Sequence, residues 1–259
     1  MRRWISAALC AALALSVAAT ASAAAPDLGL KNDGELSVGS DVPYAPFEFY
    51  SPPGSDTIVG FDVDLVKAVA RTFGVSKVTF KRQAFDTIFL AVAQKRFDLA
   101  ASSISITPAR AKTVLFSAPY FTANQSLMVR RGSDIKTTRD LAGKTLGAQT
   151  GTTGADLAKT FKPSEVKTYQ LIDDAFSALQ AGRVDAVIND FAISAYATKS
   201  KKNLVVVQQI RTKEGYGLAF PKGSEALRNA FNRGLVTIKR NGTYDRIYKR
   251  WFGTTPASS

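Results

Sequence analysis

A chain of 259 residues with 46% hydrophobic content is long enough for one large or two small packed domains. It holds no histidine and a single cysteine, which excludes Ser-His and Cys-His catalysis and the usual zinc ligand sets together. The net charge of +13 comes from Lys and Arg scattered along the chain, which fits solubility and attraction to an anionic membrane surface better than nucleic-acid binding.

Met1-Arg2-Arg3 is positive, the stretch from Trp4 to about Ala18 is apolar, and Ala21-Ser22-Ala23 is a small-x-small cleavage site. Residues 1–23 thus read as a secretory signal peptide. The apolar run is shorter than the ~20 residues of a membrane span. The residues around Arg2-Arg3 do not extend a twin-arginine motif, so the general secretory route is expected. Cys10 falls inside this leader and too near its start for a lipoprotein site. The mature chain then has no disulfide to form and must rest on an ordinary hydrophobic core.

Short apolar runs alternate with helical patterns, the signature of an α/β protein. Leu36 and Val38 alternate with polar residues in a strand that leads into Ser40-Asp41. Leu65, Val66, Val69, Ala70 and Phe73 recur at helical spacing, and Gly74 stops the helix. An internal repeat follows. Phe85-Asp86-Thr87-Ile88-Phe89-Leu90-Ala91 aligns without gaps with Ile172-Asp173-Asp174-Ala175-Phe176-Ser177-Ala178, and Arg96-Phe97-Asp98 falls on Arg183-Val184-Asp185 at the same offset. Each copy is a helix followed by a short strand, Leu99 to Ala101 or Ala186 to Ile188. Two copies at this long period point to two similar α/β lobes rather than a solenoid. Ligands bind beyond the carboxyl ends of such strands, which places Ser102, Ser103, Asn189 and Asp190 in a cleft between the lobes.

Three segments supply groups for a zwitterion. After the first strand, Thr107 caps a short helix with Pro108 at its first position, and Arg110 lies one turn in. A guanidinium grips a carboxylate with two parallel hydrogen bonds, which lysine cannot copy. The run from Thr145 to Ala155 reads as a strand, a turn of glycine and threonine, and a helix start, a place for an anion. It lacks the Lys-Ser/Thr pair of a phosphate-binding loop, so a carboxylate fits better than a nucleotide. Asp190, at the second strand end, is a natural partner for an ammonium group in a closing cleft.

These residues resemble the amino-acid-binding proteins of ATP-driven importers, the group of the lysine/arginine/ornithine-, histidine- and glutamine-binding proteins. The resemblance spans essentially the whole mature chain. It is carried by Tyr44-Ala45-Pro46-Phe47-Glu48-Phe49, Gly60-Phe61-Asp62-Val63-Asp64-Leu65, Ser102-Ser103-Ile104-Ser105-Ile106-Thr107, Phe116-Ser117-Ala118-Pro119-Tyr120 and Gly151-Thr152-Thr153. It implies that Arg110 binds the ligand α-carboxylate, assisted by Ser103, Ser105, Thr152 and Thr153, and that Asp190 takes the α-ammonium. Tyr44 and Phe85 would sandwich the ligand side chain, and Asp41 would meet its far end. Asn189 and Gln149 stand where the family varies with ligand, and Ser102 lies at the same strand end. The implied fold is the two-lobed type II periplasmic binding fold, with two α/β lobes joined by a two-strand hinge. Residues 24–126 and 221–259 would form lobe 1 and residues 127–220 lobe 2, with crossings near Ser126 to Arg131 and Gly217 to Lys222. No cofactor or metal is implied; the partners are a free amino acid and the membrane subunits of an ABC transporter, the protein being a periplasmic monomer.

Two competitors differ in class. Some periplasmic dehydratases resemble these binding proteins, and Glu48 with Asp41 would then be the acid and base. A receptor ectodomain would need a span and a signalling module after Trp251-Phe252-Gly253. Asp41 suits arginine, lysine or ornithine and also accepts the amide N–H of glutamine. Basic amino acids rank slightly ahead.

Overall fold

The computed structural model describes residues 27–256, so the expected leader and Cys10 lie outside the described residues. The first part of the chain forms β1 (Glu35–Ser40), β2 (Phe49–Tyr50), β3 (Ile58–Val59), α1 (Phe61–Arg71), β4 (Lys77–Arg82), α2 (Phe85–Ala93), β5 (Leu99–Ala100), α3 (Pro108–Ala111) and β6 (Leu115–Phe116). The long strand β7 (Phe121–Arg130) leads into β8 (Thr145–Gln149), α4 (Thr153–Thr160), β9 (Glu165–Tyr169), α5 (Ile172–Gln180), β10 (Ala186–Asp190) and α6 (Phe191–Ala197). A second long strand, β11 (Leu204–Tyr216), returns to β12 (Ala219–Phe220), α7 (Glu225–Arg240) and α8 (Thr243–Phe252). Among the described residues no helix is long and apolar enough to cross a membrane.

Two five-stranded sheets result. The first has the order β4-β1-β5-β12-β6 and the second β11-β7-β10-β8-β9. In the first, β1 runs parallel to β4 and β5; in the second, β8 runs parallel to β9 and β10. The repeated units occupy corresponding places, α2 leading into β5 and α5 into β10. Each repeat helix buries an apolar face, Ile88 and Val92 in α2 and Ala175, Phe176 and Leu179 in α5. The parallel strands β1, β5, β8 and β10 end at Ser40, Ala100, Gln149 and Asp190, so Asp41, Ser102, Ser103, Gln149, Thr152, Thr153, Asn189 and Asp190 fall at or just beyond such an end.

The sheets are joined where β7 and β11 pair with each other. Ser126 to Val129 already pair with β10 inside the second sheet, and Ala219 pairs with β5 and β6 inside the first. The connection is therefore the paired segment Phe121–Ala123 with Glu214–Tyr216, ahead of the stretches expected for it. There the Phe121 and Tyr216 rings stack at 5.5 Å and both pack on Phe47, at 5.0 and 5.5 Å. Phe61 and Phe252 complete this aromatic cluster. α1 begins at Gly60, whose φ of 145° belongs to glycine and whose added Cβ would lie 1.9 Å from the Phe47 carbonyl oxygen. That close approach lets Phe61 N–H and Asp62 N–H bond the carbonyls of Pro46 and Phe47, each at 3.0 Å.

Candidate functional site

The two lobes close on one another, and one cavity lies between them. It is lined by Asp41, Tyr44, Phe85, Ser102, Ser103, Ser105 and Arg110 from one side and Gln149, Thr152, Thr153 and Asp190 from the other. The side chains leave little room between them. Asn189 is the one candidate outside the lining. It is buried behind the wall, where its Oδ1 accepts from the Tyr44 hydroxyl at 3.0 Å.

Arg110 owes its place to α3. Thr107 caps the helix through its side chain, accepting Arg110 N–H at 3.2 Å, and Pro108 fits the first turn because its missing N–H has no partner there anyway. The guanidinium donates to the carbonyls of Ser105 at 2.7 Å and Gly151 at 3.0 Å. Its plane lies over the rings of Phe85 and Phe89, at 5.2 and 4.9 Å. Of its five N–H donors three remain for a ligand. Burial lowers its pKa from the usual guanidinium range, while Asp190 and Glu214 act to raise it, so it stays charged. The α4 N-terminus faces the same space. Thr152 caps it, accepting Ala155 N–H at 3.1 Å and donating its own proton to the Gln149 carbonyl at 2.8 Å.

The acidic groups sit on both walls. Asp190 accepts from the Tyr44 hydroxyl at 2.7 Å and from the Gln125 amide. Burial pushes its carboxyl up to about 6, and Glu214 adds to the rise, against hydrogen bonds that hold it back. Asp41 accepts from the Gln149 amide at 2.5 Å across the cleft, and burial pushes it too up to about 6. Tyr44 to Asp190, Gln149 to Asp41 and Arg110 to Gly151 are thus three polar links between the lobes.

Behind the cleft lies a buried carboxyl pair. Glu48 accepts from the Ser102 hydroxyl at 3.0 Å, and Asp62 accepts from Ser103 N–H at 2.9 Å and the Tyr120 hydroxyl at 2.8 Å. The remaining oxygens, Glu48 Oε2 and Asp62 Oδ1, have no hydrogen-bond partner, and both residues are fully buried. Burial drives both pKa values up, and the neighbouring Asp62 carboxylate pushes Glu48 higher still. The pair fixes the two serines, holding Ser103 at a left-handed φ of 48° with its unpartnered hydroxyl among the cavity lining. Glu48 itself does not reach the cavity, so the acid and base pair of a dehydratase is not assembled there.

The profile of the bacterial extracellular solute-binding proteins, family 3, matches residues 36–254. The chain belongs to that family. This solute-binding protein is 36% identical over 216 residues to the arginine-binding periplasmic protein of Mannheimia haemolytica, covering 81% of this chain and 88% of that one. Two solved structures of an ancestral arginine-binding protein, one bound to glutamine and one to arginine, are each 39% identical to it with a TM-score of 0.80. They cover 86% and 85% of this chain and 99% of theirs. The fold is the type II periplasmic binding fold, and these relatives are solute-binding proteins rather than enzymes.

Two residues of this solute-binding protein escaped the sequence reading. Glu214, on β11, accepts from the Ser105 hydroxyl and, at 2.8 Å, from the Thr153 hydroxyl. Gln125, on β7, donates to Asp190 and, at 3.5 Å, to Glu214. The register of β11 shifts between Ile210 and Glu214, with Lys213 at a φ of 58°. An irregularity of this kind re-aims a side chain against the simple alternation of a strand, and it leaves no mark in the hydrophobic pattern.

Proposed function

We propose that the protein captures a free polar L-amino acid outside the cytoplasm, closes its lobes around it and passes it unchanged to the membrane subunits of an ATP-driven importer. Arginine, lysine and ornithine rank ahead of glutamine. The observation that carries this reading is that Arg110 and Asp190, a carboxylate grip and an ammonium partner, line one cleft from opposite lobes.

Arg110, the free Ser103 hydroxyl and the start of α4 hold the α-carboxylate. Asp190 takes the α-ammonium, Tyr44 and Phe85 flank the side chain, and Asn189 orients Tyr44. Asp41 and Gln149 meet the far end. Asp41 and Asp190 outnumber the single cation Arg110 in the lining, and a cationic ligand offsets more of that charge than a neutral one. The names of the relatives, arginine-binding in one case and bound to arginine or glutamine in the other, support a basic or polar amino acid. Closure turns on the Phe121–Ala123 and Glu214–Tyr216 segments, between one lobe built on the first sheet, β12 included, and another built on the second. Removal of residues 1–23 releases the protein as a periplasmic monomer.

Titration calorimetry of the purified mature protein against the twenty amino acids and ornithine tests the reading. Heat is expected with basic amino acids first, and mass spectrometry should recover the ligand unaltered. Silence across the whole panel defeats it.

A further inference from the structure

Each hydroxyl in the cleft has one proton to give, and its direction decides which ligand group that oxygen can face. Ser105 and Thr153 were expected to help bind the carboxylate. Both give their protons to Glu214 instead, Thr153 at 2.8 Å, and Glu214 lies in the hinge segment of β11. What they turn to the cavity is lone pairs. Gln125 extends the pattern, since its single amide nitrogen donates to Glu214 and to Asp190. Asp190, Ser105 Oγ and Thr153 Oγ1 thus present acceptors to the cavity, while Arg110 and the Ser103 hydroxyl present donors.

We propose that Glu214 is a positioning residue of this site. From the hinge strand it takes the hydroxyl protons of Ser105 in one lobe and Thr153 in the other, tying the lobes together in the closed cleft. It also leaves both oxygens able only to accept, so that this side of the cavity reads the ligand's α-ammonium group. Glu214 acts through the two hydroxyls and is not itself among the cavity lining. The inference rests on the amino-acid-binding reading and extends it to a residue with no assigned part.

An amide at position 214 has nearly the same shape but presents N–H donors along with one acceptor. Both hydroxyls donate to Oε2, so an amide oxygen there keeps them only by setting its own N–H against the Gln125 amide nitrogen, donor against donor. Turned the other way, the N–H faces the hydroxyls, and at least one turns its proton toward the ammonium group. Calorimetry compares the wild type with Glu214→Gln, using two ligand pairs that differ only in the α-amino group: arginine with 5-guanidinopentanoate, and glutamine with glutaramate. Loss of a hydrogen-bonding arrangement to a charged group corresponds to a fall on the order of tenfold or more in affinity. That fall is expected for arginine or glutamine and not for the analogue lacking the amino group, so the ratio within each pair shrinks. A purely structural role lowers both members of a pair equally. An equal loss overturns the proposal, and so does an unchanged affinity. Glu214→Asp, which keeps the charge on a shorter arm, should recover part of the ratio, and it serves as the second variant should the amide fold poorly. A wild type that binds no amino acid sinks the functional reading and this inference with it, whereas a wild type that binds while Glu214→Gln keeps its ratio sinks this inference alone.

Discussion

Acidification from pH 7 to pH 5 should weaken arginine binding more steeply than glutamine binding. Burial raises Asp41 and Asp190 from the ordinary aspartate value of 3.8 to about 6 in the closed cleft. Arg82 works to lower Asp41 and Asp86 to raise it, while Glu214 raises Asp190. Each carboxyl is then about 90% ionised at pH 7 and about 10% at pH 5. A cationic ligand requires the charged form of both groups, so the raised pKa values oppose binding below pH 6 and cease to oppose it above. Arginine engages both aspartates and should lose about a hundredfold in affinity over this range; glutamine needs only Asp190 ionised and should lose about tenfold. Binding at pH 5 must also release protons, about two with arginine and one with glutamine. Calorimetry in two buffers of different ionisation enthalpy measures affinity and proton release together. Asp41→Asn should reduce the arginine dependence to that of glutamine. Arginine affinity that is flat between pH 5 and 7, or that rises on acidification, would refute the assignment of these two carboxylates.

Arg110→Lys keeps the charge but not the two-pronged grip and should weaken every amino acid by about a hundredfold in calorimetry, with the fold intact by circular dichroism. Asp190→Asn breaks a desolvated ion pair to a group every amino acid carries, so arginine, lysine and glutamine should all weaken alike, by about 3–5 kcal/mol. Asp41→Asn should instead hurt arginine and lysine while sparing glutamine; a uniform loss there, or a selective one at Asp190, reverses the two ends of the cleft. Gly60→Ala forces a Cβ against the Phe47 carbonyl at a backbone angle that suits glycine. It should cost about 3 kcal/mol and lower Tm by roughly 10 °C, and an unchanged melting curve would remove that constraint on the start of α1.

The parts of this fold that were legible in the sequence are those set by local chemistry. The ungapped match of the Phe85 and Ile172 segments announced two like units, and Thr107-Pro108 announced the cap that aims Arg110. Gly74 marked the stop of a helix that ends at Arg71 with Thr72 as its cap, and the Thr145 to Ala155 run held the helix start that falls at Thr153. Eleven of the twelve candidate residues line one cavity, most of them because they follow a strand whose carboxyl end faces the cleft. What stayed hidden depends on pairing between distant segments. Glu214 points into the site through a register shift in β11, and an isolated glutamate before Gly215 reads like any solvated charge. Glu48 and Asp62 each looked like one polar residue in a motif; only folding buries their carboxyls as neighbours. Proton direction at Ser105 and Thr153 is likewise set by a third residue far along the chain.

The aromatic cluster has a consequence for the order in which the chain can mature. Phe47 meets Phe61 from nearby, but it also meets Tyr216 and Phe252, and β5 acquires its neighbour β12 only at Ala219. The second sheet, by contrast, is complete once residue 216 is available. As the chain emerges amino end first, the lobe that starts it finishes last, because its core waits for helices α7 and α8. Contacts of such long sequence separation form slowly. A chain that emerges amino end first thus keeps its leading half unfinished, and so pliable, until its final helices have followed.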